Sequence, residues 1–257
     1  MSSSPAKPQP DLLLVNGLGF RVGGVQILED VSLTLSEGTL LGIIGPNGAG
    51  KTTFLNLLSG MLLPTSGAIH FDQHDVTKYA PAKRARLGLG RTFQTSSLFN
   101  SLSAFENARL SAQARLGGNA RFWRRPRASD EASTVALEAL ATVGLFTHAN
   151  SLAGALSHGD KRKLELAILL AAEARVLLLD EPMAGVNAED VPALSALISK
   201  LHHEGRTVLM VEHHMSVVVG LADAIAVFDS GRLLAVGGPD EVIANEDVQN
   251  AYLGQPL

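Results

Sequence analysis

Eight residues, Gly45-Pro46-Asn47-Gly48-Ala49-Gly50-Lys51-Thr52, constrain this chain more than any others. They fit G-x-x-x-x-G-K-[ST], the spacing of a phosphate-cradling loop. Such a loop belongs between a strand and a helix. There its backbone N–H groups meet the positive end of a helix dipole and form an anion site. The flanks satisfy that demand. Leu40 to Ile44 is a short apolar run that reads as a buried strand, and Thr53 to Ser59 reads as the first turns of a helix. Glycine is needed where a side chain would block a phosphate or where φ is positive. On this reading Lys51 sets its ammonium against the β- and γ-phosphates. Thr52 offers its hydroxyl to Mg²⁺.

The rest of the chain alternates helical and strand signals. Leu12 to Asn16, Phe20 to Val22 and Val31 to Leu35 read as a small β-rich segment, with a tight turn at Gly23-Gly24. A helix is expected over 51–60 and a β piece over 68–71. Helical spacing covers 101–115 and 130–143. A helix over 160–172 leads to a buried strand at Val176 to Leu179, which ends in Asp180-Glu181-Pro182. Then come a helix at 188–203, a strand at 207–211, a helix at 215–222 and strands at 224–229 and 232–236. Short apolar strands alternating with helices predict an α/β fold, a parallel sheet covered on both faces. The stretch from about 95 to 155 lacks strand signals and reads as a helical insertion.

Formal net charge is -4, which gives no electrostatic case for a nucleic-acid partner. Arg121, Arg124, Arg125 and Arg127, with Phe122 and Trp123 among them, form one basic cluster. It reads first as a solvated loop and second as a contact with a membrane headgroup or a partner protein. Without cysteine there is no disulfide framework or thiolate metal site. Residues 1–10 read as a disordered tail without the apolar stretch of a secretory signal. Leu164 to Leu179, the best candidate for a membrane span, is broken by Glu165, Glu173 and Arg175.

Ligands of open α/β sheets bind beyond the carboxyl ends of the strands. Asp180 is therefore placed to hold Mg²⁺, and Glu181, one residue on, to polarise an attacking water. Alone, an Asp-Glu pair after a strand reads equally as a helix cap and first-turn acid. Ser157, before a helical pattern, is an N-cap on the plain reading. The same hydroxyl and the free N–H groups beside it also suit a phosphate.

Six segments in order make the chain similar to the ATP-binding cassette (ABC) transporter ATPases over about residues 12 to 254. They are the phosphate loop at 45–52, Gln94, Leu156 to Asp160, Val176 to Glu181, Ala184 to Asn187, and His213. The resemblance implies a fold with a P-loop NTPase core like that of RecA. An antiparallel β subdomain and an inserted helical subdomain at about 95–155 complete it, all within residues 11–257. It implies that Gly45, Pro46, Asn47, Gly48, Ala49, Gly50, Lys51, Thr52 and Thr53 bind ATP. Thr52, Gln94 and Asp180 would serve Mg²⁺ and its waters. Glu181 would be the base, assisted by His213 and Gln94. Ser157 and Gly159 would cap the γ-phosphate held by a second subunit, so two ATP molecules lie at a dimer interface. The chain departs from the common pattern at His158, Asp160 and Asn187. Val22 stands where an adenine-stacking aromatic is usual, with Phe20 two residues earlier.

Gly90 to Gln94, Met183 to Asn187, Glu212 to Met215 and Val248 to Gly254 narrow the resemblance to ATPases of branched-chain amino acid uptake and related urea or amide importers. Lipopolysaccharide-export ATPases are the main alternative within the family. The relatives of DNA repair need a long coiled-coil insertion, and translation-associated cassettes carry two such domains in one chain. A non-hydrolysing nucleotide-dependent scaffold is the remaining alternative. The importer reading implies two integral-membrane permease subunits and a second ATPase subunit, alike or different. It also implies an indirect link to a periplasmic solute-binding protein. The chain would then sit on the cytoplasmic face of the inner membrane. Leu98, Phe99 and Leu102 read either as a docking patch for the membrane partner or as core of the helical lobe.

Overall fold

Side chains along the apolar strands alternate between two cores, and this alternation builds the molecule. The computed structural model describes residues 11–92, 97–116 and 130–251. Strands β3 (Leu40–Ile44), β7 (Val176–Asp180) and β8 (Thr207–Val211) are buried at all five positions. A strand buried on both faces needs a layer on each side. Leu40, Ile44, Leu177, Leu179, Val208 and Met210 enter one core. Their neighbours Leu41, Ile43, Val176, Leu178, Leu209 and Val211 enter the other.

Residues 11–36 contribute a hairpin, β1 (Asp11–Val22) and β2 (Val25–Ser36), turned at Gly23 and Gly24 with both φ positive. Sequence patterning divides β1 into two pieces, yet it runs unbroken. Register shifts between Val15 and Phe20 hide its alternation. After β3 and helix α1 (Lys51–Ser59), β4 (Ser66–Phe71) and the short β5 (His74–Asp75) complete an antiparallel sheet of order β2-β1-β4-β5. Helix α1 lies in the core shared by the two sheets. Its Phe54 ring sits 5.2 Å from that of Phe228.

Helix α2 (Pro81–Leu87) and strand β6 (Leu89–Arg91) are too short to give a periodic signal, and the sequence reading omits both. Arg84 on α2 is fully buried. It donates to the carbonyls of Tyr79, Leu57, Leu58 and Thr77, satisfying C-terminal groups of α1 that have no helical partner. Burial pulls its pKa down to about 10.

Helices α3 (Ala104–Arg115), α4 (Glu131–Thr142) and α5 (His158–Ala171) pack together on the other core. Ser103, Asp130 and Ser157 cap their N-termini with side-chain oxygens. Leu98 is buried among them, whereas Phe99 is 60% exposed and Leu102 half-buried. Helix α6 (Val191–His203), β8, α7 (Met215–Leu221), β9 (Ala224–Asp229), β10 (Arg232–Gly237), α8 (Pro239–Ile243) and α9 (Glu246–Ala251) follow. The large sheet has the order β10-β9-β3-β8-β7-β6. It is parallel except for β10 at its edge. Because β3, β8 and β7 are adjacent and parallel, their carboxyl ends lie side by side. Ile43 pairs with Val211, and Val211 with Asp180.

Candidate nucleotide site

Those three strand ends carry the phosphate loop, the turn after β8 and Asp180-Glu181. A cleft of about 300 Å³ opens there, lined by Ile27, Asn47 to Thr53, Glu181 and His213. The sequence reading names all of these except Ile27.

The loop takes its shape from glycine. Gly45 has φ 152°, and a Cβ there would lie 2.2 Å from the Phe228 carbonyl oxygen. Gly50, at φ 95°, immediately precedes α1. Lys51 is buried and donates from Nζ to the carbonyls of Gly45 (2.6 Å) and Pro46 (2.9 Å). Burial lowers its pKa, and the nearby Glu181 and Asp180 oppose that effect. Thr52 is exposed on the cleft wall.

Asp180 is almost fully buried. Its Oδ2 accepts from Nη2 of Arg91 at 2.9 Å, and its Oδ1 has no partner among the described residues. Burial raises its pKa, Arg91 opposes the rise, and Glu181 adds to it. A buried carboxylate oxygen without a partner costs free energy unless a cation or donor meets it. Together with the Thr52 hydroxyl it offers hard oxygen ligands, so these residues fit Mg²⁺. Among the described residues no cluster of three His, Cys, Asp or Glu holds a metal. A cation here would take its other ligands from phosphate oxygens and water, as Mg²⁺ does. Arg91, which enters the sequence reading only within the lineage segment Gly90 to Gln94, also donates to Asn56 Oδ1 and Ser59 Oγ on α1. Its place three residues before Gln94 was the available signal.

Glu181 adopts φ 48°, unusual for a residue other than glycine, and its N–H bonds to the Val211 carbonyl. That conformation keeps its side chain beside β8. Its Oε1 lies 2.9 Å from Nε2 of His213. An ionised carboxylate only accepts, so Nε2 carries the proton of this bond.

Ser157 caps α5, its Oγ accepting from the Asp160 N–H at 3.1 Å, and does not line the cleft. Burial pushes the Asp160 carboxyl up, but Lys163 and Ser157 outweigh it and hold its pKa below the usual value. Gly159 packs against the residues after Asn187: a Cβ would approach Asp190 Oδ2 to 3.3 Å. Phe20 packs against the core between the sheets rather than lining the cleft, and Val22 is 54% exposed. Gln94 and the Arg121 to Arg127 cluster lie outside the described residues. No helix among the described residues is long and apolar enough to cross a membrane.

Comparison with known proteins agrees with this arrangement. Residues 28–184 match the ABC transporter family, and residues 232–256 match the family described as branched-chain amino acid ATP-binding cassette transporter. The chain is 40% identical over 250 residues to the high-affinity branched-chain amino acid transport ATP-binding protein LivG of Salmonella typhimurium. The match covers 95% of this chain and 98% of LivG. It is 34% identical to the lipopolysaccharide export system ATP-binding protein LptB of Escherichia coli, over 95% of this chain and 97% of that one. The crystal structure of the ADP conformation of an ATP-binding cassette from an ABC transporter superposes with a TM-score of 0.85. It is 26% identical and covers 96% of this chain and 100% of the other. The expected fold, a P-loop core with an antiparallel sheet and a helical layer, is thus the fold found. With its phosphate loop and acid pair at adjoining strand ends, the chain belongs to the ABC transporter family as one of its ATP-hydrolysing cassettes.

Proposed function

We propose that this cassette powers import of branched-chain amino acids or a related small polar solute such as urea or an amide. The match of residues 232–256 supports that reading over lipopolysaccharide export, and LivG is the more similar of the two relatives. Its partners would be two permeases, a second ATPase subunit and, indirectly, a periplasmic solute-binding protein. It would act at the cytoplasmic face of the inner membrane. Residues 11–257 would form one cassette domain with the helical insertion at about 95–155, preceded by a tail at 1–10.

The site chemistry follows from the strand ends. Backbone N–H groups of Asn47 to Thr53 and the Lys51 ammonium bind the triphosphate. Mg²⁺, held by Thr52 and Asp180 with Gln94 serving its waters, would neutralise phosphate charge. Glu181 takes the proton of the attacking water at its carboxylate. His213 holds Glu181 in place through the Nε2 bond and contacts the γ-phosphate. Ser157 and Gly159 would close the site of a second subunit.

The observation that carries the hydrolytic chemistry is the 2.9 Å pair of Glu181 and His213 on the wall of the phosphate cleft. It also disfavours a non-hydrolysing scaffold. The test is ATP turnover by Glu181→Gln. It should still bind ATP while turnover falls by about 10²–10⁴-fold, the usual worth of a positioned base. Unchanged turnover would remove Glu181 from the role. For cargo, the cassette is assembled with its permeases in vesicles and uptake of labelled leucine, urea and acetamide is compared. Uptake of none of the three would overturn the import reading.

A further inference from the structure

Glu212 follows the last residue of β8 and is 2% exposed, yet no lysine or arginine among the described residues pairs with it. A buried carboxylate costs several kcal/mol unless hydrogen bonds to the charged form offset it. Here nitrogen donors surround it. Oε1 accepts from the Met183 N–H at 2.7 Å. Oε2 accepts from the N–H groups of His213 (3.0 Å) and His214 (3.4 Å) and from Nδ1 of His214 (3.1 Å). Its own N–H bonds to the Ile43 carbonyl, at the end of the strand that leads into the phosphate loop.

Met183 is two residues beyond Glu181, and His213 is the residue Glu181 bonds. One carboxylate therefore ties together the two turns whose side chains meet at 2.9 Å. We propose that Glu212 is a positioning residue for hydrolysis: it sets the spacing of the Glu181–His213 pair. This rests on the proposed roles of those two residues. Every neighbour of its oxygens donates, so the role requires an acceptor at both positions. Glutamine keeps the shape of the side chain but turns an amide N–H₂ toward a donor.

The test compares wild type, Glu212→Gln, His213→Ala and the double variant. The readouts are kcat, normalised to sites titrated with a fluorescent ATP analogue, and the analogue's Kd. Glu212→Gln should lose kcat about ten- to a hundredfold, the range of a small misplacement of reacting groups. Its Kd should stay within about twofold, since the phosphate loop is untouched. The double variant should be no slower than His213→Ala alone, because the brace acts through that histidine. Unchanged kcat in Glu212→Gln, or multiplying losses in the double variant, overturns the proposal. Unchanged kcat in His213→Ala removes the proposed role of His213 and the brace with it, so the two failures are told apart. Should Glu212→Gln not fold, the exposed His214→Ala carries the test. It removes one donor, so about a threefold loss of kcat at unchanged Kd supports the brace. No loss overturns it.

Discussion

The guanidinium of Arg91 reaches Oδ2 of Asp180 at 2.9 Å and leaves Oδ1 of the same carboxylate unmet among the described residues. Bonds of Arg91 to Asn56 and Ser59 make it a link between α1 and the end of β7. Replacing it with methionine leaves a buried carboxylate without its cation, a loss of about 3–5 kcal/mol for such pairs. Denaturant unfolding of Arg91→Met should show that loss, and Arg91→Asn with Asp180→Asn together should restore part of it. A loss under about 1 kcal/mol would mean that the pair is solvated, like a surface ion pair.

Two glycines of the phosphate loop should respond differently to alanine. Gly45 has the Phe228 carbonyl 2.2 Å from where its Cβ would lie, so the backbone itself must move. Gly48, at φ 83°, has open space around it and bears only the conformational cost, about 1–2 kcal/mol. Titration with a fluorescent ATP analogue should find binding lost in Gly45→Ala and weakened by about thirtyfold or less in Gly48→Ala. Equal losses would show that backbone clearance at Phe228 is irrelevant.

Two carboxylates outside the cleft set part of the acid limit. Hydrogen bonds from the Ser103 backbone and then its side chain hold Glu106 below 4.5. Those from Thr77 hold Asp75 below 3.8. Both folded values are depressed, so their stabilisation is full above the unfolded values and is lost as pH falls through the folded ones. Glu106→Gln should flatten the dependence of unfolding free energy on pH below about pH 4.5 and leave its slope near pH 7 alone. A slope unchanged on the acid side would mean that the cap bond persists in the unfolded chain.

Base selectivity should be weak. Among the described residues, Ile27 is the one side chain lining the cleft outside Asn47 to Thr53 and the Glu181–His213 pair, and an aliphatic wall offers no hydrogen bond to a base edge. Hydrophobic contact alone separates close analogues by about 10–200-fold at most. Competition of ATP and GTP for the labelled site should give Kd values within about tenfold of each other. A preference of a thousandfold would require a polar contact with the base.

The large strands were legible because both of their faces are buried. Val176 to Leu179, Val208 to Val211 and Ala224 to Phe228 are uninterrupted apolar runs, and the expected bounds 207–211 and 224–229 match the structure to the residue. Segments fixed by tertiary contact were not legible. Strand β6 has three residues, and its partner β7 holds it in place. In the site, Lys51, Thr52, Asp180, Glu181 and His213 were readable because chemistry fixes their spacing in the chain. Arg91 and Glu212 were read only as members of lineage segments, because their significance in the site lies in what folds onto them. For Glu212 a charged residue just after an apolar strand was the signal.

Strand β3 lies between β8 and β9, inside the large sheet, with every side chain enclosed. Amide hydrogens there trade with deuterium only when the sheet comes apart, whereas those of loop tips do so through local fraying. The turn at Gly45 to Thr52 is thus moored to a strand whose amides are shielded from solvent on both faces.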